Sequence, residues 1–131
     1  MTLVVDSSAL VAIIRREPNY DELVDRLEED VGSAAMAAPT LLETLIVLSS
    51  KAGALASSIE QLIPSLGIET VAFTPDLAQL AHRAFLQFGK GYHPARLNFG
   101  DCISYALAKS LDAPLLFKGN DFTQTDIRSA L

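Results

Sequence analysis

The stretch TLVVDSSALVAIIRR, residues 2–16, decides the fold class. It opens with a short apolar run typical of a β-strand, which ends at the acid Asp6. The two serines that follow are suitable caps for a helix reaching Arg16, and Pro18 closes that helix. A buried strand that leads directly into a helix indicates an α/β protein.

The same signals continue along the chain. They predict three further strands, over 33–38, 68–73 and 114–117. Long helices are predicted over 19–30, opened by a capping box of Asn19 and Glu22, over 40–52, stopped by Gly53, and over 74–89 and 98–111. Two shorter helices are predicted, one from Ser57 or Ser58 to Gly67 and one after Thr123. Strands alternating with helices predict a mainly parallel sheet covered on both faces, a three-layer α/β/α arrangement. At 131 residues, positions 1–131 are expected to form one domain.

Composition narrows the class of protein further. Half of the residues are hydrophobic and a fifth are charged, which favours a packed core over disorder. The single cysteine excludes a disulfide framework or a thiolate zinc site within one chain, and is typical of a reducing cytoplasm. No apolar run is long enough to span a bilayer, so we expect a soluble, cytoplasmic protein without a membrane partner.

The net charge of -6 argues against a module that holds nucleic acid by general electrostatics, because such modules are usually basic. If four acids were gathered at one metal site, they would account for four of those six charges. Bound divalent cations would then reverse the local field where a phosphate approaches. The acidic balance is therefore compatible with a protein that meets phosphates through bound metal ions.

Three acids occupy positions that suit a site in such a fold. Asp6 and Asp121 follow predicted strands, and ligands of open parallel sheets bind at the carboxyl ends of strands. Asp101 lies three residues after Asn98, at the start of a predicted helix. Each acid also has a structural explanation, since Asp6 suits a helix cap, Asp101 a capping box and Asp121 a turn.

Glu43 is harder to explain structurally. It is the one charged residue between Asp30 and Lys51, within the apolar run PTLLETLIVLSS. An ionised carboxylate on a mostly buried helix is costly unless a partner compensates it, and no lysine or arginine lies within a helical turn. Glu43 is therefore expected either on a narrow polar face or facing a positive charge.

Gathered together, these four carboxylates would favour a cation, because clustered acids repel one another and raise their pKa values unless a cation shares the site. Ligands that are all oxygen select hard ions such as Mg²⁺ or Mn²⁺. Such ions activate water and stabilise an in-line phosphoryl transition state.

Four segments together resemble the acidic blocks of PIN domains, most closely those of VapC-type toxins of bacterial toxin–antitoxin pairs. They cover nearly the whole chain in order and read VVDSSALVAII, APTLLETL, LNFGDCISYALAK and PLLFKGNDF. The single acid followed by serines, and the glycine–aspartate pair opening a helix, are the most specific features. The resemblance implies a PIN-like fold and a Mg²⁺-dependent ribonuclease that hydrolyses RNA phosphodiester bonds.

The resemblance also implies roles for individual residues and partners. A catalytic, metal-binding cluster would comprise Asp6, Glu43, Asp101 and Asp121. Ser8 and Asn120 would orient the cluster by hydrogen bonds, whereas Asp126 is interpreted as a helix cap because Thr123 precedes it by three residues. The family's substrates are RNAs, its toxins are silenced by an antitoxin whose C-terminal segment covers the active site, and we expect a homodimer.

Other residues carry weaker signals. The loop before the Asp101 helix offers three side chains that either meet phosphates or are merely solvated: Lys90, His93 and Arg96. Arg15 and Arg16 are candidates for contact with RNA or with an antitoxin. His82, on an amphipathic helix, is interpreted as structural or surface-exposed, and Cys102 as a small buried apolar residue.

Three alternatives stay open at this point. A phosphorelay receiver domain is also acidic and α/β, and Lys118 at a strand end fits it, but serines replace its second acid after Asp6, and Asp76 stands within a helix start. A haloacid-dehalogenase-like phosphatase requires a second aspartate where Ser8 stands. A catalytically inert partner-binding domain would be distinguished by a metal titration.

Overall fold

The structure, a computed structural model, describes residues 2–49 and 54–131. Its strands are β1 (Leu3–Val5), β2 (Ala34–Ala37), β3 (Glu69–Val71) and β4 (Leu115–Leu116). Its helices are α1 (Ser7–Arg15), α2 (Tyr20–Glu29), α3 (Ala38–Ser49), α4 (Ala54–Ser65), α5 (Pro75–Phe88) and α6 (Phe99–Ser110). No helix in these ranges combines the length and the apolar character that a bilayer crossing requires.

The four strands form one parallel sheet in the order β3-β2-β1-β4. The central strands β1 and β2 are buried along their whole length, and β2 consists of small residues, AAMA. Alanine is a poor strand former in isolation. Here its small side chain lets a helical layer approach each face of the sheet, so packing decides the conformation.

Side chains alternate along β1 and divide the interior into two cores. Val4 faces the core formed with α5 and α6, whereas Leu3 and Val5 face the core built mainly with α1 and α2. The resulting three layers confirm the predicted α/β/α arrangement with a parallel sheet. The strand order differs from the 2-1-3-4-5 order of receiver-like folds, so the receiver alternative is wrong.

Two helix starts predicted from the sequence are confirmed in atomic detail. The Thr74 hydroxyl accepts a hydrogen bond from the Leu77 amide at the start of α5, which ends at Gly89 as expected. At the start of α6, Asn98 and Asp101 form the predicted reciprocal capping box. This box fixes the backbone on which one of the candidate acids stands.

Two other predicted caps are wrong. The carboxylate of Asp6, and neither serine, caps α1 by accepting from the Ser8 amide. Asn19 precedes α2 with φ of 67°, and its side chain makes no capping bond to the helix. A side-chain cap requires an extended backbone at the capping residue, so the box with Glu22 cannot form from this left-handed conformation.

The helices around the central strands begin earlier than predicted. Helix α3 starts at Ala38, directly after β2 and before Pro39. Helix α4 already begins at Ala54, so Ser57 and Ser58 lie inside it and are not its caps. The predicted stop at Gly53 lies outside the described residues.

The predicted terminal helix after Thr123 is also wrong. Residues 121–126 form turns and a bend, in which the Thr123 and Thr125 hydroxyls donate to nearby carbonyls. The chain then runs extended beside β4, where Ser129 bridges Leu115. Pairing with this sheet edge satisfies backbone groups that a terminal helix would leave exposed.

Candidate active site

Asp6 lies at the carboxyl end of β1, where the chain turns into α1. Its side chain is only 3% exposed and accepts hydrogen bonds from Ser104 Oγ at 2.5 Å and from Ser8 Oγ at 2.6 Å. Burial raises the pKa of the Asp6 carboxyl, the bonds from Ser104 and Ser8 oppose that rise, and the charge of Asp121 adds to it. The carboxylate is thus rigidly held in surroundings that favour a nearby positive charge.

Ser8 joins the ends of two neighbouring strands. Its hydroxyl donates to Asp6 after β1 and accepts from the backbone amide of Lys118 after β4 at 3.0 Å. The hydrogen bonds expected of Ser8 toward the site are therefore present. The serine fixes Asp6 relative to the segment that leads to Asp121.

Asp101 points from the first turn of α6 toward Asp6 and Asp121 and is 7% exposed. One of its oxygens accepts from the Asn98 amide at 3.0 Å. Burial, followed by the charges of Asp121 and Asp6, raises its pKa to about 7, although the bond from Asn98 opposes the shift. Asp101 therefore caps a helix and also belongs to the acidic cluster.

Glu43 lies on α3, where it approaches the residues next to Asp6 and next to Asp101. It accepts from Ser7 Oγ at 2.8 Å, and a Cβ added at Gly100 would lie 2.4 Å from its Oε2 atom. Gly100 thus allows the carboxylate to approach the backbone beside Asp101. Within residues 2–49 and 54–131 no lysine or arginine pairs with Glu43.

The assumption that α3 is mostly buried is wrong, and this changes the interpretation of Glu43. Leu42 and Ile46 on the same helix are 58% and 63% exposed, and Glu43 itself is partly exposed. Partial hydration reduces the cost of an ionised carboxylate at this position. Glu43 therefore needs no buried cation for stability alone.

Asp121 is exposed on the turn after β4. The next residue, Phe122, is buried with its ring 5.1 Å from that of Phe117, which anchors the turn. Asp121 is close enough to Asp101 for the two carboxyl groups to share a hydrogen bond. Asn120 is exposed, and in the described part of the chain its side chain has no hydrogen-bond partner, so its orienting role stays a prediction.

The donor set fits a hard divalent cation in its chemistry, because it consists of carboxylate oxygens whose mutual repulsion a cation would relieve. As the side chains stand, however, no three His, Cys, Asp or Glu residues in the two described ranges are grouped tightly enough to hold one ion. Binding by three carboxylates therefore requires side-chain movement, for which exposed Asp121 has room.

The basic loop, residues 90–97 before α6, is held together by its own hydrogen bonds. Gly89 and Leu97 form a parallel bridge that closes the loop. Inside it, His93 Nδ1 accepts from the Ala95 amide at 3.0 Å, and the ring packs edge-on against Phe88. Side chains of the loop surround an open depression of about 520 Å³, and they include Lys90, His93 and Arg96.

Ser104 is a site residue that the sequence analysis missed. It stands one turn after Asp101 on α6, and small hydroxyl side chains inside helices usually bond their own backbone. Here the hydroxyl is buried and donates to Asp6, a contact across 98 positions of sequence. Its spacing of three from Asp101 is the signal that places both on one face.

Asp126 is not a helix cap. It forms an ion pair with Lys109 Nζ at 2.9 Å and accepts from the Tyr105 hydroxyl at 2.8 Å. Burial alone would raise the Asp126 pKa, but these two partners lower it below its usual value. Asp126 therefore fastens the terminal segment to α6, away from the cluster at the first turn.

The remaining candidates lie outside the acidic cluster. His82 is exposed on α5, and Arg15 and Arg16 are exposed at the end of α1. Cys102 is buried, and burial followed by the charge of Asp101 raises its pKa to about 11, so the thiol stays protonated. The interpretations of His82 as a surface residue and of Cys102 as a buried one are confirmed.

Comparison with known proteins identifies the family. Residues 3–128 match the PIN domain family. Ribonuclease VapC36 of Mycobacterium tuberculosis is 44% identical over 126 residues, which cover 95% of this chain and 91% of that protein. Ribonuclease VapC42 of the same species is 40% identical over 130 residues, covering 98% of each chain.

Solved structures agree on the fold at low sequence identity. The crystal structure of M. tuberculosis VapC20, a sarcin-ricin loop cleaving toxin, superposes with a TM-score of 0.77 at 17% identity over 96% of both chains. VapBC2 from Rickettsia felis, bound to a DNA fragment from its promoter, gives 0.74 at 19% identity over 98% of this chain and 96% of that one. The family match and the sequence relatives show that the chain belongs to the PIN-domain family and, within it, to the VapC ribonucleases.

Proposed function

We propose that this protein is the toxin of a VapBC-like toxin–antitoxin pair and that it hydrolyses RNA phosphodiester bonds at the acidic cluster with Mg²⁺, for which Mn²⁺ can substitute. One observation carries the proposal. Asp6, Asp101 and Asp121, from three separate parts of the chain, lie near one another, and burial first, then the charges of the neighbouring acids, raises the pKa of Asp6 and of Asp101. Such a cluster costs stability and is compensated when a cation binds.

The residues of the site would have two roles, holding the metal ion and orienting the acids that hold it. A bound divalent ion would activate water for attack on phosphorus and stabilise charge on the leaving oxygen. Asp6, Glu43, Asp101 and Asp121 would hold that ion. Ser8 and Ser104 orient Asp6, while the Asn98 amide orients Asp101, and such outer contacts fix ligand geometry.

The basic loop supports an RNA substrate despite the acidic net charge. Lys90 and Arg96 are exposed on the loop that leads directly into α6. Positive side chains near the site would draw the RNA backbone in, and affinity should then fall as salt rises. We assign Lys90, His93 and Arg96 to phosphate contact.

Two protein partners complete the proposal, an antitoxin and a second copy of the chain. A solved structural neighbour is a toxin–antitoxin complex from Klebsiella pneumoniae, with a TM-score of 0.71 at 15% identity. Exposed Leu42 and Ile46 lie one turn apart on α3 and form an apolar surface that a partner would cover. A cytoplasmic location is supported by the single, buried free cysteine.

The proposed function is tested by substituting two aspartates near the end of the chain, one inside the acidic cluster and one outside it. Asp121→Asn should reduce RNA cleavage by more than about a hundredfold, because even the loss of an outer partner of a metal ligand costs roughly 10–100-fold. Asp126→Asn, which changes an acid five residues later that lies outside the cluster, should retain most activity. Initial rates on a labelled single-stranded RNA pool in Mg²⁺ measure both, and equal rates for Asp121→Asn and wild type would refute the site.

The homodimer is tested through the exposed face of α3. Wild-type protein should elute with the mass of two chains in size-exclusion chromatography with light scattering. Ile46→Asp should shift it toward the monomer, while its folding free energy should change by no more than about 0.5 kcal/mol because the side chain is exposed. A wild-type monomer at high concentration would contradict the proposed dimer.

A further inference from the structure

An apolar cavity of about 450 Å³ lies between α5, α6 and the start of α3. Its walls are mostly aromatic and aliphatic side chains, which include Pro39, Phe73, Phe85, Phe99 and Ile103. Among the described residues that line it, His82 is the one with ring nitrogens able to hydrogen-bond. A cavity of this size and character is typical of a site for a small, flat, mainly apolar group.

Two helices connect the cavity with the cluster. On α3, Pro39 lines the cavity, and Glu43 lies one turn later in the cluster. On α6, Phe99 lines the cavity and its neighbour Gly100 is approached by Glu43, whereas Asp101, two residues after Phe99, lies on the opposite side of the helix. Glu43 therefore connects the two regions, since it contacts Ser7 beside Asp6 and approaches Gly100 beside Phe99.

Phe99 is the feature that packing does not explain. Its side chain is 83% exposed, more than any other large hydrophobic residue that the structure describes. The adjacent Gly100 leaves room for Glu43 of α3, so an exposed aromatic ring lies next to the position where an acid of the cluster meets α6. Exposed aromatic rings beside a nucleic-acid backbone site stack on unpaired bases.

We propose that the cavity receives one unpaired nucleobase of the RNA whose phosphodiester lies at the acidic cluster, with Phe99 stacking on that base. This inference rests on the proposed ribonuclease function and adds a base-binding site to it. The His82 ring at the wall offers a hydrogen bond to the base edge. The basic loop, which ends two residues before Phe99, adds positive charge for the adjoining phosphates.

A second copy of the chain fits the cavity less well. A stable protein interface buries about 800 Å² on each partner, which is far more than a cavity for one small group provides. The apolar surface of α3 around Leu42 and Ile46 is instead available for protein contact. Phe99 at the cavity is also the neighbour of Gly100, against which Glu43 of the acidic cluster lies.

The experiment compares Phe99→Ala, Phe99→Leu and Phe99→Tyr with wild type on an oligoribonucleotide that the wild type cleaves, selected from a random single-stranded pool. Phe99→Ala should raise KM by roughly 5–150-fold while kcat changes little, because stacking contributes to substrate binding. Phe99→Tyr should restore KM and Phe99→Leu should not, since the stacking requires a ring. Leu111→Ala, at the opposite end of the same helix region, is the matched control.

An RNA-side change completes the test. Abasic substitutions are introduced at each nucleotide next to the cleaved bond. At one of them, wild type and Phe99→Ala should become equal, because the stacking partner is gone. If Phe99→Ala instead lowers the solution mass to a monomer and leaves KM unchanged, the surface is a protein interface and the inference is wrong. If cleavage depends on Asp101 but is unaffected by substitution of Phe99 and by every abasic site, the base-binding site is wrong and the ribonuclease function stands. If the wild type cleaves no RNA at all, the proposed function is wrong as well.

Discussion

Replacing Asp101 by asparagine is expected to abolish RNA cleavage while raising the stability of the metal-free protein. The carboxylate is buried and faces the charges of Asp6 and Asp121, so removing its charge relieves repulsion. Asparagine keeps an oxygen that can accept from the Asn98 amide, and the capping box can therefore persist. Activity should fall by more than about a hundredfold, because an ion ligand is lost.

The stability gain should depend on pH in a direction set by the pKa of Asp101. That pKa rises from an ordinary value of 3.8 to about 7 in the folded protein. The folded state therefore keeps a proton that the unfolded state has lost, and wild-type stability falls as pH rises between these values. Asp101→Asn should gain about 1–3 kcal/mol over wild type at pH 8 and nothing near pH 3, since the shift is shared with neighbouring acids.

Urea unfolding of both proteins in a chelator at several pH values measures this difference. Mg²⁺ or Mn²⁺ at 100 times its dissociation constant should stabilise the wild type by about 2.7 kcal/mol, and Asp101→Asn much less. Asp76→Asn, at an exposed acid on α5, is the control for general charge effects. Equal metal-induced stabilisation of wild type and Asp101→Asn would mean that the ion binds elsewhere.

The sequence was sufficient to predict the features that depend on local chemistry. The alternation of strands and helices predicted the layered parallel sheet, and the Asn98–Asp101 capping box was predicted to the residue. Asp6 was expected at a strand end because an apolar run stops there. These features depend on a few neighbouring residues, so their signals survive in a single sequence.

The missed features depend on residues far apart in the chain. The bond from Ser104 to Asp6 and the ion pair between Asp126 and Lys109 exist only after the layers have packed. The terminal segment looked like a helix, but pairing with the open edge of β4 overrides that local preference. The exposed ring of Phe99 was equally invisible, because its sequence neighbours do not indicate which side of α6 faces solvent.

The premise on which Glu43 was selected is wrong, whereas its role as a metal ligand stays a prediction. Glu43 was selected as an acid on a buried helix, yet one side of α3 is exposed. What singles it out in the structure is contact with Ser7, next to Asp6, and with Gly100, next to Asp101. A side chain larger than hydrogen at position 100 would displace the carboxylate, so the glycine–aspartate pair helps to build the cluster as well as to start the helix.

The fragments released from RNA should carry 5′-phosphate and 3′-hydroxyl ends, and a chelator should abolish their production. Attack of water on phosphorus with departure of the 3′ oxygen gives these ends. Ribonucleases that work without metal commonly use a base to activate the RNA's own 2′-hydroxyl, which leaves a cyclic phosphate. Of the two histidines, His82 lies on α5 beside the apolar cavity, outside the acidic cluster.

His93 is poorly placed to act as that base. Its Nδ1 atom already accepts the Ala95 amide, so the neutral ring carries its proton on Nε2 and has no free lone pair to offer. His93→Ala should therefore reduce cleavage by less than about tenfold, whereas Asp6→Ala should reduce it by more than about a hundredfold. Mass spectrometry of the fragments decides the mechanism, and 2′,3′-cyclic phosphate ends formed equally well in a chelator would exclude water attack at the acidic cluster.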